Sequence, residues 1–308
     1  MEFFEAIWDI FSRDATYVIA ALFAGLLVLA ASGEWVAERA GTINISVEAM
    51  LLSGAFVGAI GYDITSSPIV AIGAGAIGGM IIASIQAEMS HRMAADQFVV
   101  GLTLNILVFG VAAFLDREIA PDVRLASTWD IPLLSDIPLI GQALFGQPWP
   151  FYLIYLVVPF SWWLVFRTRW GLELRAVGEN PQSADVNAID VNKRRRQAIY
   201  YTGFTSGLGG AFLILVQIGE FNESIVGGRG FIAIAAVIFG GWTLRGTIAG
   251  CLLFATALSF RLSLSGYDIN SELLQSLPFL VTILGMAVFA HRVRPPVALA
   301  RPFVRGLK

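Results

Sequence analysis

Cysteine is all but missing from this chain. Cys251 stands alone, so no intrachain disulfide can form, and its place inside an apolar run makes it a packing residue. Charge is scarce as well: 14% of the 308 residues are charged against 56% hydrophobic, with a mean hydropathy of +0.72, which excludes a soluble domain of this size. The near balance of 20 basic and 23 acidic residues argues against a nucleic-acid partner. Histidine occurs only at His91 and His291, each beside an arginine at the end of an apolar run, so both read as interface residues and no metal site is expected. The chain has no HExxH, no paired aspartates of a prenyl-transfer site and no phosphate-cradling GxxxxGK[ST]. No catalytic residue and no cofactor bound by this chain is therefore expected, and without a phosphate loop any energy must come from elsewhere.

What the chain has is apolar length. Runs near the roughly 20 residues that cross a bilayer recur at 15–33, 46–62, 67–87, 98–115, 150–166, 198–218, 230–244, 246–264 and 276–291. The fold class expected is all-α, a polytopic transmembrane helical bundle of about nine spans. It forms one domain over 1–308, with the membrane bundle at 15–291, a long loop at 116–149 and a basic loop at 167–197. Proline interrupts the 116–149 loop at positions 121, 132, 138 and 148, and its apolar pieces favour an ordered cap. Met1 to Asp14 lacks the basic start of a cleavable signal peptide, and its aromatic spacing suggests an interfacial amphipathic helix.

Basic residues are unevenly placed. Arg167, Arg169, Arg175, Lys193, Arg194, Arg195 and Arg196 share one loop, and Arg292, Arg294, Arg301, Arg305 and Lys308 follow the last apolar run. The positive-inside rule makes both segments cytoplasmic, the C-terminus included, and nine crossings then put the N-terminus outside.

Several polar clusters interrupt the apolar pattern. Gly33 to Gly41 carries Glu34 and Glu38 four residues apart and reads as a short cytoplasmic elbow. Asn44, Ser46 and Glu48 come next. Glu48 is either an interfacial carboxylate favoured by a helix dipole or, if it lies deeper, a functional group. Gln97, Thr103 and Asn105 flank or enter the fourth run, and Asn105 reads as interhelical glue. Gln217, Glu220, Asn222 and Glu223 precede Gly227-Gly228-Arg229-Gly230 and form the most polar external turn, which lines an entrance vestibule, contacts a binding protein or, as the favoured reading for each residue, is a solvated loop. Arg39 to Ile45 and Gly228 to Ile234 each place a basic residue and glycine ahead of an apolar run. They enter from opposite sides, as a possible inverted repeat would. Between the basic stretches lies Gly178-Glu179-Asn180-Pro181-Gln182-Ser183-Ala184, in which Asn180 caps a short helix and Pro181 fits its first position. A surface helix specified this well points to a soluble partner that reads it.

Taken together, Gly33-Glu34 through Ala40-Gly41, Ile43 to Glu48, Gln97 with Gly101 and Asn105, Gly171-Leu172, Leu174 to Pro181, and Gly228 to Ala233 resemble permease subunits of bacterial ATP-binding-cassette importers. The branch is the one shared by branched-chain amino acid, ribose-type sugar and nucleoside systems, and the likeness covers essentially the whole chain. It is closest to the shorter permease of nucleoside or simple-sugar systems that use a lipoprotein receptor. The resemblance implies that Gly178, Glu179, Asn180, Pro181 and Ala184 belong to a coupling helix seated on a cytoplasmic ABC ATPase that uses ATP. It also implies a second homologous permease, an extracytoplasmic substrate-binding lipoprotein, the cytoplasmic (inner) membrane, and a neutral polar solute, nucleosides before simple sugars. Ser183, Asn187 and Ala188 depart from the alanine, alanine and glycine that the pattern leads one to expect. Asn44, Glu48, Asn105 and Phe231 are the expected substrate-path residues. Nearly charge-free spans count against an ion-coupled secondary transporter, the missing catalytic motifs against a membrane enzyme, and the capped surface helix against an inert scaffold.

Overall fold

The computed structural model of the protein describes residues 12–264, 276, 280 and 294–304. The opening amphipathic segment and the ninth apolar run, with His291 and Arg292, fall outside the described residues save for scattered positions. The helices are α1 Asp14–Arg39, α2 Val47–Thr65, α3 Pro68–His91, α4 Gln97–Ile119, α5 Gly141–Phe145, α6 Leu153–Arg167, α7 Arg169–Glu179, α8 Pro181–Val186, α9 Val191–Phe212, α10 Arg229–Phe239 and α11 Leu244–Leu264. A π-helical stretch, Leu213–Ile218, prolongs α9, and a 3-10 turn, Trp149–Tyr152, leads into α6. Among the described residues seven helices are long and apolar enough to cross a membrane: α1 to α4, α6 with its leading turn, α9 with its extension, and α11.

The apolar run at 230–244 is a correction to the sequence expectation. It folds as α10, 11 residues long, which spans about 16 Å at 1.5 Å per residue, roughly half the hydrocarbon thickness. Gly240 and Gly241 end it, and the Thr243 hydroxyl then accepts the Gly246 N–H at 3.1 Å to open α11.

The centre of the bundle is α9, enclosed by α1, α2 and α3. Small residues allow this. A Cβ at Gly54 of α2 would lie 2.6 Å from the Gly207 Cα of α9, so the two backbones touch, and close backbone approach is what drives helix association where lipid replaces water. On the outer faces of α3, α4 and α6, Ile77, Ile81, Ile106, Phe114, Leu156 and Trp163 are exposed, as suits a lipid or protein neighbour.

Two contacts set the register of α11 along α1. The Ser259 hydroxyl donates to the Thr16 carbonyl at 2.7 Å at one end, and the Trp35 indole donates to the Trp242 carbonyl at 2.9 Å at the other. The second end also holds Arg39, α7, α8 and the 294–304 segment, and is called the basic end below. The opposite, loop end carries residues 120–149, where strands β1 Thr128–Asp130 and β2 Gly146–Pro148 form a small antiparallel hairpin around α5, the one departure from an all-α fold among the described residues. The Tyr152 hydroxyl bonds the Trp129 and Phe145 carbonyls, and Ala126 donates to the Leu215 carbonyl at 2.7 Å, which ties this cap to the bundle.

Candidate functional site

The basic end presents one short helix with every turn specified by sequence. Asn180 Oδ1 accepts the Ser183 N–H at 2.9 Å, and Pro181 takes the first helical position, so α8 starts without stray donors. Pro181 and Ala184 face inward, Ala184 packing with Val177 and Val191. Glu179, Asn180, Gln182, Ser183 and Val186 face outward, Val186 at 86% exposure. Ala188, where the family-like pattern leads one to expect glycine, holds φ of 61°, a left-handed conformation that favours glycine. Gly178 is buried against the Arg39 carbonyl, which leaves no room for a side chain there.

Much of the surrounding basic charge is engaged in structure. Arg194 Nε meets Glu173 at 2.6 Å and Arg196 meets Glu88 at 2.6 Å, joining the start of α9 to α7 and α3. His91 is not an interface residue: it is buried, with its Nε2 2.9 Å from the Thr42 hydroxyl. Sequence reading gave the 294–304 segment a side of the membrane through Arg294 and Arg301 but not its packing. Its Ala298 N–H donates to the Gly178 carbonyl at 3.0 Å and its Ala300 N–H to the Gly41 carbonyl at 3.2 Å. A cavity of about 250 Å³ separates Glu179 to Gln182 from Val297, Ala298, Arg301 and Pro302.

A second site lies within the bundle, where two non-helical segments meet. Glu34 and Glu38 belong to α1, wholly buried, so the elbow expected at 33–41 begins only at Ala40. From there the chain turns back along α1. Gln97 Oε1 accepts the Ile43 N–H at 2.9 Å, and Glu34 Oε1 accepts the Asn44 N–H at 3.0 Å. Glu34 precedes Arg39 by five residues, so Asn44 sits about 7.5 Å inside the end of α1 at 1.5 Å per residue, and Glu48 lies deeper still. Asn105 bridges α4 to this entry, donating to the Ile45 carbonyl and accepting the Ala49 N–H, both at 3.0 Å.

From the loop end, residues 219–228 dip toward the same place instead of forming a solvated turn. Gly219, at φ of 78°, closes the π stretch, and Phe221 packs against Phe56 of α2 with ring centres 5.0 Å apart. The Glu48 carboxylate then accepts the Gly228 N–H on one oxygen and the Gly230 N–H on the other, each at 2.7 Å. A carboxylate thus meets the positive end of α10, where free amide groups and the helix dipole both favour an anion. Beside it opens a cavity of about 200 Å³ lined by Glu48, Leu52, Asn105, Phe109, Glu223 and Ser224, among others. Of the expected path residues, Glu48 and Asn105 line this cavity. Asn44 lies buried beneath, accepting from the Ser46 N–H and hydroxyl, and Phe231 is exposed on α10 away from the lining.

The α10–α11 turn is pinned to α1 as well: the Trp242 indole donates to Glu38, and the Trp35 indole to the Trp242 carbonyl. The acidic pair read as an elbow feature holds two irregular stretches to α1, Glu34 the 40–46 elbow and Glu38 the α10–α11 turn.

Known proteins share this chain's sequence over nearly its whole length. It is 32% identical over 289 residues to the nucleoside ABC transporter permease protein NupC of Lactococcus lactis, covering 88% of this chain and 91% of that one. It is 31% identical over 304 residues to the guanosine ABC transporter permease protein NupQ of Bacillus subtilis, covering 92% and 95%. A putative glucose ABC transporter permease of Haloferax volcanii is 29% identical over 314 residues, covering 92% and 95%. The family model described as branched-chain amino acid transport system / permease component matches residues 16–286, and with its membrane-length helices, half-length α10 and capped α8 the chain belongs to that family.

Proposed function

We propose that this chain is a membrane-spanning permease subunit of an ATP-binding-cassette importer that carries nucleosides inward across the cytoplasmic membrane. The observation that carries the reading is the similarity, over about nine-tenths of both chains, to permeases named for nucleosides and guanosine. The basic end is cytoplasmic, because Arg39, Arg92, Arg167 to Arg196, Arg294 and Arg301 gather there. In this orientation the N-terminus is outside, and the 219–228 loop with α10 makes a single crossing, the loop descending and the half-helix completing it.

In this reading α8 is the element that a cytoplasmic ABC ATPase grips, through Glu179, Asn180, Gln182 and Val186. Closure of the ATPase pair pushes α8 and alternates the permease between outward-open and inward-open states. A second homologous permease covers exposed faces of the bundle, and an extracytoplasmic binding protein delivers solute to the loop end. The path passes the Glu48 and Asn105 cavity, a polar opening suited to hydroxyl and base-edge groups. Simple sugars are the second reading, favoured by the relative named for glucose.

Uptake of radiolabelled guanosine and ribose by cells expressing the complete system tests both levels. Glu179→Arg is expected to abolish guanosine uptake while the permease remains in the membrane. Unchanged uptake would reject α8 as the coupling element, and uptake of ribose alone would move the solute to sugars.

A further inference from the structure

Arg195 has no role in the account so far, yet it is among the largest side chains buried completely. It lies at the start of α9, and its guanidinium donates from Nε to the Ala40 carbonyl at 3.2 Å, from Nη2 to the Ala298 carbonyl at 3.2 Å and from Nη1 to the Arg301 carbonyl at 2.6 Å. No carboxylate forms an ion pair with it among the described residues. Burying a cation is costly, and an apolar residue of similar volume generally serves stability as well or better. Three peptide carbonyls from two segments more than 250 positions apart in sequence are therefore an expensive way to fill space. They are a good way to hold two segments at fixed angles, because the guanidinium is a rigid planar fork.

What the fork holds is the junction between α8 and the bundle. Ala40 opens the elbow that leads to Glu48, and Ala298 and Arg301 belong to the segment that bonds Gly178, three residues before Pro181. A Cβ at Gly41 would lie 3.0 Å from Arg195 Nη2 and 3.2 Å from the Gly178 Cα, so guanidinium, elbow and α7 terminus are already in contact. We propose that Arg195 is a positioning residue that locks α8, the 294–304 segment and the 40–46 elbow into one body, so that a push on α8 arrives at Glu48 and its bonds to Gly228 and Gly230. The inference rests on the reading of α8 as the helix gripped by the ATPase. Residues 294–304 then form part of the transmission and not a trailing end.

The test uses the complete importer, both permeases with the ATPase and the binding protein, in proteoliposomes. Arg195→Lys keeps the charge but replaces the fork with a single ammonium that cannot span three carbonyls at these angles. The ATPase is expected to copurify with this variant in wild-type amount and to keep hydrolysing ATP. Guanosine transported per ATP falls at least tenfold, with kcat for uptake reduced and the KM for guanosine unchanged. Wild-type transport per ATP would overturn the proposal, and so would loss of the ATPase from the complex, which would make Arg195 a docking residue. A chain ending at residue 293 lacks two of the three acceptors and is expected to show the same uncoupling; full coupling in it would equally overturn the proposal. Val186→Asp separates the two readings: if it leaves the ATPase bound, the docking assignment of α8 fails independently of Arg195.

Discussion

The two non-helical entries into the bundle, residues 40–46 and 219–228, meet at Glu48 but are held in opposite ways. The first is saturated from outside itself. Gln97, Glu34, Asn105 and Arg195, from three helices, each bond a backbone group in it, and Ala300 donates to its Gly41 carbonyl. The second closes mostly on itself. Ser224 bonds the Asn222 side chain, Ile225 and Arg229 donate to carbonyls three residues back, and Arg229 Nη1 returns to the Ile225 carbonyl. Its polar tie to the bundle at the inner end is the Glu48 carboxylate. A segment whose buried backbone groups depend on many distant partners moves only with all of them, whereas one held by apolar packing and a single carboxylate tie has a less costly way to open. The 40–46 elbow is thus suited to transmit, and the 219–228 loop to gate.

Breaking the first entry should have the largest effect. Gln97 Oε1 is acceptor to both the Ile43 N–H and the Thr42 hydroxyl, and Gln97→Leu strands the part-buried Ile43 N–H and leaves the Thr42 hydroxyl with His91 Nε2 alone. At about 1–3 kcal/mol for the stranded amide, with the Thr42 hydroxyl losing its second partner beside it, the loss is a sizeable fraction of a typical stability. Less folded permease than wild type is expected in the membrane, read as the monodisperse fraction after detergent extraction.

Breaking the second entry should spare the fold and impair transport. Glu48→Gln keeps one acceptor oxygen for the α10 amides, and Glu48→Ala keeps none. Guanosine uptake per permease in the membrane is expected to fall in the order wild type, Gln, Ala, with the alanine variant at least tenfold below wild type; water in the adjoining cavity can take up the amides that alanine releases, so its membrane amount stays above that of Gln97→Leu. Equal loss of protein in the alanine variant and in Gln97→Leu would erase the distinction between a gating and a transmitting segment.

Some of this contrast is legible in the sequence, where the cause is local. Asn180 and Pro181 announce α8 because capping uses residues within one turn, and most spans follow from hydropathy because the bilayer is a uniform solvent. Where the cause lies elsewhere in the chain, the sequence misleads. Glu34 and Glu38 look like an interfacial elbow, since nothing nearby shows that Asn44 and Trp242 will return to bind them. The run at 230–244 looks like a span because its apolar residues continue past Gly240 and Gly241, which stop the helix halfway. The 294–304 segment has no periodicity to read, and its place is set by Gly41, Gly178 and Arg195. In the sequence Glu48 reads equally as interfacial or functional, because its depth depends on the elbow turning back along α1.

A matched pair of glycines gives the smallest and sharpest test. Gly41 in the first entry has φ of 81° and Gly228 in the second has φ of 84°, so alanine at either meets the same backbone cost, roughly 1–2 kcal/mol for a left-handed residue. Their surroundings differ. A Cβ at Gly41 would lie 3.0 Å from Arg195 Nη2 and 3.1 Å from the Ala298 carbonyl oxygen, while one at Gly228 meets nothing within 4 Å. Gly228→Ala should therefore show the backbone cost alone, and Gly41→Ala about 1–3 kcal/mol more for overpacking a site that its neighbours cannot vacate. Thermal unfolding of the two purified variants, followed by tryptophan fluorescence, measures the difference directly. Because the backbone term cancels, the gap between the two midpoints reports how tightly each entry is packed, and equal midpoints would mean that the 40–46 elbow yields as readily as the loop it faces.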